Sequence, residues 1–115
     1  MPLLILKFSE DFSQLWNVNA FTGRLRSVVA GALNCKDSQL DLTHVQVLIR
    51  KVNKDEPGHR DIELIVIAND HPSRRANLDE RTSAIRDWLR DQITITPQLT
   101  GSVWVLLAPG CYKSF

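Results

Sequence analysis

Cysteine is scarce: these 115 residues hold Cys35 and Cys111 only. Two thiols without metal-ligand spacing give no disulfide framework and no thiolate metal cluster. An excess of charge is missing too, since 14 Lys and Arg stand against 13 Asp and Glu for a formal net charge of +1. Such a balance gives no reason to expect nucleic acid or an anionic membrane as partner. No apolar run approaches the roughly 20 residues of a membrane span. Glu10 and Asp11 follow the first apolar run too closely for a secretory signal. These absences suggest a reduced, cytoplasmic chain. At this length the expectation is one domain over residues 1–115 with a real core.

What is present begins with Met1-Pro2-Leu3-Leu4-Ile5-Leu6-Lys7-Phe8. An apolar run starting after a proline reads as a strand, because proline is tolerated at a strand's first residue, where no ladder donor is missed. Loss of Met1, which a proline at the second position allows, would turn Pro2 into a secondary amine held by that strand. A free α-amino group titrates at about 7.7–8.0. Desolvation or a nearby cation disfavours its charged form, so such a nitrogen can serve as a base near pH 7.

Further along, Val18, Phe21, Leu25, Val28, Val29 and Ala32 recur at steps of three and four. This spacing predicts an amphipathic helix over residues 11–33, stopped at Asn34. Residues 43–52 alternate, with Val45, Val47 and Ile49 on one strand face and Gln46, Leu48 and Arg50 on the other. Pro57-Gly58 marks a turn, residues 62–68 a strand and residues 69–75 a loop. Asn77 with Glu80 opens a second helix whose apolar stripe carries Ala84, Ile85, Trp88 and Leu89. After Pro97 comes a fourth strand over residues 102–107.

Strand, helix, strand therefore occurs twice, as a pseudo-repeat over residues 1–53 and 60–108. The expected class is α+β: two βαβ units forming one four-stranded mixed sheet with two helices on one face. The strands are apolar at both parities, so the sheet face opposite the helices also needs cover. A neighbouring subunit can supply it, which suggests an oligomer.

The opening Met1-Pro2-Leu3-Leu4-Ile5-Leu6-Lys7-Phe8-Ser9-Glu10-Asp11 resembles the start of the 5-carboxymethyl-2-hydroxymuconate isomerase branch of the tautomerase superfamily, whose members are built on an amino-terminal proline. Asp41-Leu42-Thr43-His44-Val45-Gln46-Val47-Leu48-Ile49 is similar to the second strand of 4-oxalocrotonate tautomerase. With the double βαβ pattern the resemblance spans nearly the whole chain. It implies a homotrimer with inward-facing sheets and active sites where subunits meet. It further implies keto–enol tautomerisation of small 2-oxo or 2-hydroxy-dienoic acids with Pro2 as base and no cofactor.

That chemistry needs a cation for the substrate carboxylate and a donor for the developing enolate. The resemblance suggests Arg74 and Arg75, in the loop before the second helix, for the carboxylate, a guanidinium fork being bidentate and permanently charged. Gln46 stands where 4-oxalocrotonate tautomerase has a strand arginine; it can donate hydrogen bonds without charge. Arg50 shares its strand face but sits about 13 Å along, at roughly 3.3 Å per residue. His44, His59 and His71 form no metal-binding pattern, and Cys35 reads as a small buried hydrophobe. Alternatives are a decarboxylase or dehalogenase of the same superfamily, favoured if Asp37 lies within reach of Pro2, and a non-catalytic trimeric interaction module.

Overall fold

The computed structural model describes residues 2–36, 38–53, 56–58, 60–93 and 99–109, and the side chains of all of these but Gln14 and Leu15. Strand β1 (Leu3–Phe8) leads into α1 (Glu10–Leu15) and α2 (Val18–Leu33). A single 3₁₀ turn, Leu42–His44, opens β2 (Gln46–Lys51). Then follow β3 (Ile62–Asn69), α3 (Pro72–Arg75), α4 (Leu78–Ile93) and β4 (Gly101–Ala108). The strands form one sheet in the order β2-β1-β3-β4. Within each half the strands are parallel, and β1 and β3 join the halves antiparallel. The class is the expected one, an α+β fold with a four-stranded mixed sheet and two main helices.

The predicted helix over residues 11–33 is in fact two. The Ser9 hydroxyl accepts from the Phe12 N–H at 3.3 Å and caps α1, which ends at an extended Trp16. The Asn17 side chain then accepts from the Ala20 N–H at 3.2 Å and caps α2. Asparagine at an N-cap favours extended backbone there, so the apolar spacing continues while the helix breaks. Likewise the loop expected over residues 69–75 contains a helical turn, started by Pro72 at its first position.

One sheet face is packed and the other is open. On the packed face Leu4, Leu6, Ile62, Leu64 and Val66 are fully buried against Phe21, Leu25, Val29 and Leu33 of α2 and Ile85 and Leu89 of α4. Burying each such side chain stabilises the fold by about 1.5–3 kcal/mol. Phe12 of α1 joins this core edge-on to Phe21, ring centroids 5.2 Å apart, and Phe21 lies 5.6 Å from Trp88 of α4.

The open face consists of cross-strand rows fixed by the pairing register. Gln46, Leu3, Ile67 and Leu106 make one row and Leu48, Ile5, Ile65 and Trp104 the next. A third row, Arg50, Lys7, Glu63 and Ser102, is polar. Leu48 is 57% exposed, Trp104 59% and Leu106 48%, so two apolar rows face outward. No helix among the described residues is long and apolar enough to cross a membrane.

Candidate active site

The mixed topology gathers the starts of β1 and β2 and the ends of β3 and β4 at one edge of the sheet. Pro2 lies there, buried, and its carbonyl accepts from the Gln46 N–H at 3.1 Å. Leu3 pairs with Gln46 on one side and Ile67 on the other, so the β3–α3 corner belongs to the same edge. Arg50 does not. It pairs opposite Lys7 near the far end of β2 and holds Glu56 at 3.3 Å. Within one copy of the chain, the structure brings Pro2 and Gln46 together and leaves Arg50 apart.

Arg74 and Arg75 are neighbours in sequence with different surroundings. Turned inward by α3, Arg74 is 1% exposed. Its Nε donates to the Leu33 carbonyl at 2.9 Å and its Nη1 to the Asn69 carbonyl at 2.8 Å. The remaining Nη2 is buried with no partner among the described residues. Arg75 instead projects outward, its side chain 61% exposed, and meets Asp70 at 3.3 Å. The expectation of a polar loop carrying both arginines is thus corrected for Arg74, which a helical turn turns inward.

The physical reason lies in α2. Its last carbonyls have no intrahelical partner, and its last turn carries no basic residue. Arg74 takes the carbonyl of Leu33, while Arg81 of α4 takes those of Ala32 at 2.8 Å and Asn34 at 2.7 Å. Two guanidiniums from the second half thereby satisfy the helix end of the first and oppose its negative dipole. Arg81 escaped the sequence reading because its only signal there was position in a helix's first turn, where a cation is not expected.

Arg26 escaped it for a similar reason, as one polar residue on a helix flank. Its Nε donates to the Val45 carbonyl at 3.0 Å and its Nη2 to the Leu42 carbonyl at 2.8 Å, fixing the turn that leads into Gln46. Asp41 caps the same turn. Its carboxylate accepts a short hydrogen bond from the Thr43 hydroxyl and one from the Thr43 N–H at 2.8 Å. The hydroxyl first, then the N–H, holds the Asp41 carboxyl below its ordinary value of 3.8. His44 accepts from the Asp41 N–H through Nδ1 at 3.0 Å. Cys35 is buried, as its sequence context suggested. His71 precedes α3 and takes the Arg74 and Arg75 N–H groups on its carbonyl. No group of His, Cys, Asp and Glu fit to hold a metal occurs among the described residues. Asp37 and His59 lie outside them.

The chain is similar to a native fused 4-OT, a 4-oxalocrotonate tautomerase, with a TM-score of 0.63 and 10% identity over 98% of this chain and 91% of that one. A wild-type fused 4-OT described as a symmetric trimer gives 0.56 and 12% over 93% and 85%. Pt0534 inactivated by 2-oxo-3-pentynoate gives 0.56 and 11% over 98% and 91%. The chain shares the fold of these structures. No family model and no curated protein matches the sequence.

Proposed function

We propose that this chain is a tautomerase of small 2-oxo or 2-hydroxy-dienoic acids, acting in the cytoplasm as a homotrimer and using the Pro2 nitrogen as base once Met1 is removed. The observation that carries the reading is the buried Pro2, fixed by Gln46 at the sheet edge that also holds the β3–α3 corner. The nitrogen would take a proton from the carbon next to the 2-oxo group, and the enolate electrons would settle on the oxygen. Delivery of that proton to the enolate oxygen gives the enol, and the reverse sequence ketonises an enol, without a cofactor. Arg75, exposed and held among the described residues by Asp70, is the better of the two adjacent arginines for the substrate carboxylate, because Arg74 spends two of its three nitrogens on main-chain carbonyls. Gln46 would contribute an uncharged donor.

A neighbour inactivated by a 2-oxo acid supports the substrate class, and a trimeric neighbour supports the assembly. The open apolar rows supply a reason for assembly within this chain, since burying Leu48, Trp104 and Leu106 between copies removes them from water. Sedimentation at micromolar concentration should give three copies, and a stable monomer would contradict that. The catalytic reading is tested by enol-to-keto conversion of phenylpyruvate, comparing protein with and without Met1.

A further inference from the structure

An open groove of about 450 Å3 runs along the edge strand, lined by Thr22 and Arg26 of α2 and by Val45, Gln46 and Val47. Arg26 is half-buried in it, and both of its hydrogen-bond acceptors, the Val45 and Leu42 carbonyls, are neutral. No carboxylate pairs with Arg26 among the described residues, where its Nη1 also makes no hydrogen bond. Two carbonyls fix the plane of the guanidinium without cancelling its charge.

A second donor follows from the topology. Among the described residues β2 pairs with β1 alone. The Gln46 N–H is directed at the Pro2 carbonyl, and successive strand residues alternate, so the Val47 N–H turns away from β1. A permanent cation and an unclaimed backbone N–H in one groove are what a carboxylate requires. Thr22 gives its hydroxyl proton to the Asn19 carbonyl at 2.9 Å and contributes shape only. Val45 and Val47 supply apolar walls. Gln46, which lines the groove, also donates its N–H to the Pro2 carbonyl.

We propose that this groove is a carboxylate subsite in which Arg26 provides the charge that Gln46 lacks. The proposal takes its substrate class from the function proposed above, but binding is measured without turnover. The experiment titrates phenylpyruvate, and separately its methyl ester, into isotope-labelled full-length protein while following the Thr22, Val45 and Val47 amide resonances. The acid should move all three and bind about ten-fold or more tightly than the ester, the difference a charge-assisted hydrogen bond makes. Arg26→Lys should keep a preference for the acid. Arg26→Gln, which can still donate to one carbonyl, should reduce that preference several-fold, leaving what Arg75 contributes under the proposed function.

Equal binding of acid and ester, acid-induced shifts that miss these amides, or an acid preference undiminished by Arg26→Gln would overturn the proposal. Should Arg26→Gln not fold, the wild-type shift map and the acid-to-ester ratio decide alone. Acid binding here without turnover by either form of the protein would sink the tautomerase reading and leave the subsite standing. Turnover with these amides unmoved would do the reverse.

Discussion

The two ends of the sheet treat their cations differently. At the far end they meet carboxylates: Arg50 holds Glu56 and Lys51 holds Glu10. At the Pro2 end Arg75 still meets Asp70, but Arg26, Arg74 and Arg81 hold main-chain carbonyls, and none of these three pairs with a carboxylate among the described residues. Both arrangements tie elements together, but only the second leaves the positive charge uncancelled. An ion pair at a surface contributes little and is screened by salt. A guanidinium that satisfies helix-end carbonyls does structural work and still attracts an anion. Fold maintenance and ligand attraction can therefore share residues at one end of this molecule and not at the other.

The largest expected break in that comparison comes from Arg74→Met. It leaves the Leu33 and Asn69 carbonyls without this donor beside a buried corner, at about 1–3 kcal/mol for each group left unsatisfied. Denaturant unfolding should show a loss of about 2–5 kcal/mol, whereas Arg50→Ala at the other end should cost under about 1 kcal/mol. Equal losses would show that the two ends do not differ as described.

Arg75→Ala sharpens the contrast within one turn of helix. The side chain is exposed, so stability should change by no more than about 0.5 kcal/mol. Under the proposed function kcat/KM for a 2-oxo acid should fall roughly ten- to a hundred-fold, the worth of a charge-assisted contact. Unchanged kinetics would remove Arg75 from the site.

The smallest effect concerns pH. The Asp41 carboxyl titrates below its ordinary 3.8 when folded, so the ionised form favours the folded state. Its contribution is present above pH 3.8 and is lost as pH falls through the lower folded value. The Thr43 amide resonance should titrate in that acidic window, and Asp41→Asn should abolish the titration. A Thr43 amide that titrates at or above 3.8 would contradict the assignment.

The facing of β2 was legible at its start, where Val45 and Val47 turn to the packed face and Gln46 and Leu48 to the open one, but not at Ile49, which shares the parity of Val45 and Val47 and is 43% exposed. The break at Asn17 was not, since the apolar steps run through it and only the asparagine cap interrupts the backbone. Pro2 and Gln46 could be paired on paper because both open adjacent strands. The division of labour between Arg74 and Arg75 could not, because it depends on which side of a four-residue helical turn faces the end of α2. Arg26 and Arg81 were invisible for a related reason. Their partners are backbone carbonyls, and a carbonyl has no letter in the sequence.

The central claim is that the Pro2 nitrogen, not merely the Pro2 ring, matters. The direct measurement follows phenylpyruvate enol-to-keto conversion by two preparations, one retaining Met1 and one lacking it, each verified by intact mass. The account predicts conversion by the Met1-free protein, partial conversion by Pro2→Ala, which keeps a primary amine, and none by the Met1-bearing form, whose Pro2 nitrogen is an amide. Equal rates from the two forms would contradict it and leave Pro2 as the residue that starts a strand.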